Sequence, residues 1–302
     1  MATTHDPKAP LVPERDKHQR PVLECIELGI DFGGLAAVND FNIAIGPTEI
    51  SGLIGPNGAG KTTIFNLLTK VYQPSRGKIL LDGKDTKHMN TIAANKAGLA
   101  RTFQNIRLFD KMTVMENVLL GLHNETNYRL SSAILRLPKF WRAEREARQR
   151  ALELLSIFDM QHMANYVSGS LPYGSKRRLE IVRALATGPR VLLLDEPAAG
   201  MNPAETEELM NTIKKIHQQF KIAILLIEHD MRLVMGICDG VAVVNYGKLI
   251  AKGTPAEIQN NPKVIEAYLG TSPEGGAADR QRAARPESAA NDEGTSGGDS
   301  HA

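Results

Sequence analysis

One eight-residue segment limits the folds open to this chain more than any other feature of its sequence. Gly55-Pro-Asn-Gly-Ala-Gly-Lys-Thr62 matches the pattern GxxxxGK[ST]. It follows the apolar segment Ile50–Ile54 and precedes a helical stretch, Thr63–Thr69. Glycines let such a loop fold so that its backbone N–H groups converge on a phosphate, and the helix N-terminus adds its positive dipole end. The strand, loop and helix together favour a phosphate-binding loop over a glycine-rich turn with a solvated lysine.

The residues of the phosphate-binding loop have different predicted roles in binding a nucleotide. Lys61 is expected to reach the β- and γ-phosphates of a nucleotide, and the Thr62 hydroxyl is expected to ligate Mg²⁺. The predicted nucleotide contacts are Gly55, Pro56, Asn57, Gly58, Ala59, Gly60, Lys61, Thr62 and Thr63.

A second segment, Val191-Leu-Leu-Leu-Asp-Glu196, is an apolar strand that ends in two acids. Neighbouring side chains of a strand point in opposite directions, so the two carboxylates need not do the same work. Asp195 is predicted to hold the magnesium shell, and Glu196 is predicted to polarise a water against the γ-phosphate. A strand followed by an acidic turn is also common without any function, and the phosphate loop is what favours the functional interpretation.

Hydrophobic spacing predicts an α/β fold with two kinds of sheet. Apolar residues alternate with period two over 26–30 and 41–45, which indicates half-buried antiparallel strands. Continuous aliphatic runs separated by helical stretches indicate a buried parallel sheet with crossover helices. These runs lie at 191–194, 222–227 and 241–244, and the helices at about 203–220 and 230–237. Residues 113–187 have mostly helical patterns and are predicted to form an inserted helical subdomain.

Composition excludes several classes of protein. Lys and Arg total 36 against 34 Asp and Glu, and a net charge of +2 gives no broad field for a polyanion, so nucleic acid is not an expected partner. The longest aliphatic runs are about six residues, far below the roughly 20 that cross a bilayer. Cysteine occurs only at Cys25 and Cys238, which indicates a reducing compartment and no disulfide framework.

Three segments are predicted along the chain. Residues 1–20 mix charges with prolines and are predicted to be a flexible leader. Residues 21–270 are predicted to form the folded domain. Residues 271–302 contain no Val, Ile, Leu, Met, Cys or aromatic residue and are predicted to be a disordered tail.

Further motifs, taken in order, carry a family resemblance. Phe103-Gln104 resembles a Q-loop, and Ser170-Leu-Pro-Tyr-Gly174 occupies the place of a signature segment. Ala199-Gly-Met-Asn202 resembles a D-loop, and Leu226-Ile-Glu-His-Asp-Met231 resembles a switch-histidine motif. With the phosphate loop and the acidic strand, these motifs make the chain resemble the ATP-binding subunit of an ABC transporter. The resemblance implies a P-loop NTPase (ABC ATPase) core with a parallel sheet, an antiparallel β subdomain and an inserted helical subdomain, with ATP and Mg²⁺ as cofactors.

The resemblance also implies roles for single residues. Gln104 would touch Mg²⁺ or the lytic water and His229 would bond the γ-phosphate, although the two also fit an ordinary loop and a helix start. Phe32 would stack on adenine, although a lone Phe near a strand end is usually a core residue. The implied catalytic set is Lys61, Gln104, Glu196 and His229, and the implied magnesium set is Thr62, Gln104 and Asp195.

The signature segment is expected to act on a second ATPase subunit. In the family two subunits enclose two ATP molecules, and each signature segment faces the partner's phosphate loop. Gly174 and Ser175 would present N–H groups from a helix N-terminus to the partner's γ-phosphate. The segment departs from the general LSGGQ pattern at Pro172, Tyr173 and Ser175, so one hydroxyl contact is lost.

Other segments narrow the resemblance to one group of transporters. Three segments look like those of the ATP-binding subunits of high-affinity branched-chain amino-acid importers. They are Ala198–Pro203, Ile227–Met231 and the ending Gly253–Gly270. The insert at about 124–150 resembles the larger of that system's two ATPase subunits. The implied partners are transmembrane permease subunits, a paralogous ATPase or a second copy, and indirectly a solute-binding protein. The implied location is peripheral, on the cytoplasmic face of the inner membrane.

Two kinds of alternative stay open. Related ABC systems energise urea import or lipopolysaccharide export, and the shorter insert expected of them argues mildly against both. A soluble ABC-type ATPase acting on nucleic acid or ribosomes is the rival from another class. That class normally has a coiled-coil insertion, a second cassette or a strongly basic surface, and the sequence shows none of these.

Overall fold

The structure is a computed structural model that describes residues 20–122 and 138–269. Side chains are described from residue 141 onward in the second range. The predicted tail, the predicted leader apart from Arg20, and residues 124–137 of the predicted insert lie outside the described residues. None of the described helices is long and apolar enough to cross a membrane.

Six strands form the central sheet, and the strand that leads into the phosphate loop lies in its middle. In spatial order they are β10 (Lys248–Gly253), β9 (Gly240–Asn245), β3 (Ile50–Ile54), β8 (Ala223–Ile227), β7 (Val191–Asp195) and β6 (Leu99–Arg101). All neighbours are parallel except β9 and β10. Because the carboxyl ends of parallel strands share one edge, the segments that follow β3, β6, β7 and β8 meet there.

The second sheet has four antiparallel strands, as the period-two spacing predicts. In spatial order they are β2 (Leu35–Ile45), β1 (Leu23–Phe32), β4 (Arg76–Leu81) and β5 (Lys84–Asp85). The turn between β4 and β5 is Asp82-Gly83, and both of its residues have positive φ. The α/β class with a parallel core and an antiparallel sheet is therefore confirmed.

Nine α-helices and two short 3₁₀ helices, Gln161–Met163 and Ser168–Ser170, lie in the described ranges. In chain order the α-helices are α1 (Lys61–Leu68), α2 (Thr91–Lys96), α3 (Val114–Leu122), α4 (Pro138–Ile157), α5 (Tyr173–Leu185), α6 (Pro203–Phe220), α7 (Met231–Ile237), α8 (Pro255–Gln259) and α9 (Pro262–Leu269). The capping box that the sequence predicts at Thr113 is present, since Thr113 N–H donates to Glu116 and Glu116 N–H donates to Thr113. The mostly helical character of 113–187 is thus confirmed where the chain is described, and its status as a separate subdomain stays a prediction.

Strand alternation divides the core into two layers on opposite faces of the central sheet. In β7, Val191 and Leu193 join the cluster that contains the antiparallel sheet and α1. Leu192 and Leu194 join the cluster formed with α3 to α7. Both faces of β7 are therefore buried, which explains its continuous aliphatic run and leaves its carboxyl end as the place for polar groups.

Candidate nucleotide-binding and hydrolysis site

An open cleft of about 370 Å³ lies at the carboxyl edge of the central sheet. It brings together the phosphate loop, the segment after β6, the end of β7 and the switch loop after β8. Its walls are formed by Leu35, Ala36, Ala37, Asn57, Gly58, Ala59, Gly60, Lys61, Thr62, Thr63, Gln104, Glu196, His229, Tyr246 and Gly247. The four residues predicted to be catalytic, Lys61, Gln104, Glu196 and His229, all lie in this set.

The Lys61 side chain is held by backbone carbonyls of the phosphate loop itself. Lys61 Nζ donates to the carbonyl oxygens of Gly55 and Pro56 at 2.7 and 2.8 Å. Gly60 precedes α1 with a φ of 99°, and a Cβ there would lie 2.9 Å from the Ala37 carbonyl oxygen. Burial lowers the pKa of Lys61, and the charges of Glu196 and Asp195 oppose this shift. The loop therefore presents a cation and free N–H groups in one concave surface, the arrangement that binds phosphate.

Glu196 is the point at which three predicted residues meet. Its Oε2 accepts from Gln104 Nε2 at 2.8 Å, and its Oε1 lies 2.9 Å from His229 Nε2. Its backbone has a φ of 47°, a left-handed conformation that costs a non-glycine residue about 1–2 kcal/mol. Its N–H donates to the Ile227 carbonyl at 3.0 Å. A strained residue held at a cleft beside two polar side chains is suited to a catalytic task.

Asp195 has different partners from Glu196 and does not line the cleft described above. Its Oδ2 accepts from Arg101 Nη2 at 2.6 Å, and both side chains are buried. Arg101 also donates to Asn66 Oδ1 at 2.7 Å and lies over the rings of Phe65 and Phe103. Sequence reasoning missed Arg101, although a charged residue that ends a buried strand, Leu99-Ala-Arg101, is a usable signal.

Arg177 of α5 is a further residue that the motifs do not include. It is fully buried and pairs with Glu180, whose Oε2 lies 2.9 Å from Arg177 Nη1. The guanidinium also donates to backbone carbonyls of Phe103, Asp195, Glu196 and Pro197. A buried Arg in the basic run Lys176-Arg-Arg178 looks like a solvated residue in the sequence, so only the structure reveals it.

The predicted signature residues lie at the start of α5. Gly174 is partly exposed, whereas Ser175 is buried and its hydroxyl lies 3.5 Å from Arg178 Nη2. Tyr173 is half-exposed, and its ring faces Gly200 of the D-loop, where an added Cβ would lie 3.4 Å from the ring. The partner contacts of Gly174 and Ser175 stay predictions, and the burial of Ser175 leaves Gly174 as the more accessible of the two.

The cleft is lined by a different aromatic residue from the one that the sequence suggests. Phe32 is 45% exposed and meets Tyr72 edge-on at 5.3 Å between ring centroids. It does not line the cleft described above, whereas the strongly exposed Tyr246 does. Stacking of Phe32 on adenine therefore stays a prediction, and Tyr246 is an aromatic residue of the cleft that sequence reasoning missed.

The last helix also reaches the phosphate loop. Burial raises the pKa of Tyr268 in α9, and the Gly55 backbone beside its hydroxyl opposes this shift. Tyr268 lies more than two hundred positions after Gly55 in the sequence, and no motif signals this contact.

A strand, glycine loop and helix with a buried lysine, facing a carboxylate that is bracketed by Gln and His, define a P-loop nucleoside triphosphatase. A family model described as "ABC transporter" matches residues 38–199, and one described as "Branched-chain amino acid ATP-binding cassette transporter" matches residues 248–273. The chain belongs to the ABC transporter family of ATP-binding proteins and is an ATPase of that family.

Several known proteins are similar over most of this chain. BraF of Pseudomonas aeruginosa, a high-affinity branched-chain amino acid transport ATP-binding protein, is 47% identical over 83% of this chain and 98% of its own length. LivG of Escherichia coli, which has the same description, is 49% identical with the same coverage. LptB of Haemophilus influenzae, a lipopolysaccharide export ATP-binding protein, is 31% identical over 82% of this chain and 97% of its own.

Solved structures agree with the fold. The crystal structure of the ADP conformation of MJ1267, an ATP-binding cassette of an ABC transporter, superposes with a TM-score of 0.72 at 28% identity. The match covers 83% of this chain and 99% of that one. The predicted ABC ATPase architecture is therefore confirmed.

Proposed function

We propose that this chain is the ATP-hydrolysing subunit that energises import of branched-chain amino acids through a membrane permease. The observation that carries the ATPase part is Glu196, held between Gln104 and His229 opposite Lys61. The descriptions of BraF and LivG, together with the match of residues 248–273, support the solute class. The subunit acts as a peripheral protein on the cytoplasmic face of the inner membrane.

The hydrolytic step uses residues that meet in the cleft. Lys61 and the loop N–H groups bind the phosphates of ATP, and His229 hydrogen-bonds the γ-phosphate. Glu196 orients a water, which attacks the γ-phosphorus as the bond to the bridging oxygen breaks. ADP leaves with that electron pair, and the carboxylate takes the proton that the water loses. Gln104 keeps Glu196 aimed at the water through their hydrogen bond.

The residues present fit a bound Mg²⁺. Thr62, Gln104 and Asp195 provide hydroxyl, amide and carboxylate oxygens, the hard ligands that this cation prefers. Arg101 binds Oδ2 of Asp195, so Oδ1 would be the oxygen left to hold the cation or one of its waters. Mg²⁺ held there would neutralise charge on the phosphates.

A second ATPase subunit completes the site. The partly exposed Gly174 at the N-terminus of α5 supports its predicted contact with the γ-phosphate of a partner-bound ATP. MJ0796, a bacterial ABC transporter cassette, is dimeric in its solved structure. We propose a paralogous ATPase as the natural partner, with a second copy of this chain as the other possibility. A groove of about 400 Å³ beside Arg101 is also lined by Arg183 and by the exposed apolar residues Phe109 and Leu120, and we propose it as the surface that meets the permease.

Uptake assays in the source organism test the proposal. Deleting the gene for this chain should abolish high-affinity uptake of labelled leucine, isoleucine and valine, and the wild-type gene should restore it. The Glu196→Gln gene is the matched control and should not restore uptake. Loss of urea uptake, or accumulation of lipopolysaccharide at the inner membrane, would favour the alternative systems; an intact membrane phenotype with altered ribosomes would favour the soluble rival.

A further inference from the structure

Arg177 occupies an unusual position for a charged side chain. It lies in the first turns of α5, close to Gly174, and is fully buried. Each of its three nitrogens donates to an acceptor of the same chain. Nε donates to Pro197 O at 3.3 Å, Nη1 to Phe103 O and to Glu180 Oε2 at 2.9 Å, and Nη2 to Asp195 O at 3.2 Å and Glu196 O at 2.6 Å.

The carbonyls that Arg177 binds belong to the residues around the hydrolytic carboxylate. Phe103 directly precedes Gln104, and Pro197 directly follows Glu196. Glu196 has the left-handed backbone described above, and such a conformation persists only where its surroundings fix it. The Ile227 carbonyl fixes the N–H side of Glu196, and Arg177 fixes the C=O side. The direction of the Glu196 side chain therefore depends on Arg177.

Glu180 extends the same contact to the Gln104 segment. Its Oε1 accepts from the backbone N–H groups of Phe103 and Arg107, at 3.4 and 3.2 Å. The pair thus holds Phe103 by both its carbonyl and its N–H. A planar guanidinium can serve several carbonyls in fixed directions at once, whereas a lysine ammonium is a single compact donor group.

We propose that Arg177, clamped by Glu180, is a positioning residue that aims Glu196 and Gln104 for ATP hydrolysis. The proposal rests on the role proposed above for Glu196. Arg177 does not itself line the nucleotide cleft, and no hydrogen bond from it to the phosphate loop is described, so it affects turnover and leaves ATP binding intact. Because it is carried by the helix that begins at the signature segment, a shift of α5 is transmitted to the hydrolytic carboxylate within one subunit.

Arg177→Lys in the full chain tests the proposal. We expect kcat for ATP hydrolysis to fall about 100-fold, the loss typical of a catalytic group displaced by about 1 Å. The dissociation constant for ATP, measured with a fluorescent ATP analogue, should stay within about twofold. Arg190→Lys is the matched control, because Arg190 forms an exposed ion pair with Asp82, and its kcat should stay within about twofold of wild type.

The same change in the Glu196→Gln background separates positioning from general damage. If Arg177 acts through Glu196, then Arg177→Lys should lower the residual single-turnover rate of Glu196→Gln by less than about threefold, because the effects of residues that act as a unit do not add. If Arg177→Lys lowers the single-turnover rate of Glu196→Gln by as large a factor as it lowers that of wild type, the two residues act independently and the proposal is overturned. Unchanged kcat in Arg177→Lys would also overturn it, while the loss of activity in Glu196→Gln alone would leave the ATPase mechanism standing.

Glu180→Gln covers the case in which Arg177→Lys fails to fold. The amide keeps the size of Glu180 but removes the charge that holds the guanidinium, and kcat should fall at least about fivefold with unchanged ATP affinity. A parallel loss of ATP affinity and melting temperature in both variants would show that the pair only supports the fold, and would reject the positioning role.

Discussion

The phosphate loop and the Glu196 site lie in one cleft but are held in different ways. The loop is a single run of residues, and Lys61 is fixed by carbonyls only five and six positions away. Glu196 is fixed by groups from three separate segments, which contain Gln104, Arg177, and the pair Ile227 and His229. The hydrogen bonds that hold Lys61 are thus local to the loop, whereas the Glu196 site depends on how distant segments pack together.

This difference predicts that the two activities can be separated by mutation. A change in the loop should damage binding first, and every later step with it. A change around Glu196 should damage turnover and spare binding, because the loop does not rely on those contacts.

The largest expected effect is on turnover in Glu196→Gln. The amide keeps the shape but cannot accept a proton or polarise water as strongly, so kcat should fall about 10³-fold. The ATP dissociation constant should stay within about twofold of wild type. Turnover by the purified full chain and binding of a fluorescent ATP analogue measure the two quantities. Equal losses of both would abolish the distinction between the two regions.

The second-largest expected effect is a loss of ATP affinity in Lys61→Ala. Removing the buried ammonium should weaken ATP binding about 100-fold, since a charge-assisted contact to phosphate is lost together with the hydrogen bonds that shape the loop. Isothermal titration calorimetry measures the affinity. Lys215→Ala, at an exposed position of α6, is the control and should bind ATP as wild type does. A Lys61→Ala chain with normal affinity would show that backbone groups alone are sufficient.

Tyr268→Phe sharpens the comparison, because the Tyr268 hydroxyl of α9 lies beside the loop backbone at Gly55. Loss of the hydroxyl removes a polar contact worth up to about 1 kcal/mol, so the affinity for ATP should fall by up to about fivefold with little change in kcat. Tyr166→Phe is a suitable control, since the Tyr166 side chain is half-exposed and only its backbone has a described hydrogen bond. If the two variants bind ATP equally well, the loop is independent of α9.

The smallest effect concerns pH and the buried Glu228, which accepts from the N–H groups of Ala198, His229 and Asp230. Burial raises the pKa of Glu228 above its ordinary value of 4.5. The folded protein therefore holds this proton more tightly than the unfolded chain, and the stability from this group is full below about pH 4.5 and declines as pH rises through the raised pKa.

Glu228→Gln tests this dependence because an amide does not titrate. The free energy of unfolding of the variant, relative to wild type, should increase between about pH 4.5 and pH 7, because wild type alone loses stability over that range. Urea unfolding at those two values measures it. A constant difference between the two proteins would mean that the pKa of Glu228 is the same in the folded and unfolded states.

The sequence predicts the features that depend on neighbouring residues better than those that depend on contacts between distant segments. The phosphate loop, the helix at 203–220 and the capped start of α3 follow from spacing alone, because their contacts are between near neighbours. The meeting of Gln104, Glu196 and His229 needed the family resemblance. Arg177 and Tyr268 could not be predicted, since their partners apart from Glu180 are backbone atoms, and backbone atoms carry no signature in sequence.

During synthesis on the ribosome, β3 emerges long before either of its neighbours. Ile50 pairs with Ile224 in β8, and Ser51 pairs with Gly240 in β9, so the strand that carries the phosphate loop has no sheet to join until most of the chain has been translated. Chains stalled before β8 should not be retained on immobilised ATP, whereas complete chains should. ATP stabilises only a state that can bind it, and incomplete cassettes are consequently left exposed to aggregation and cellular proteases.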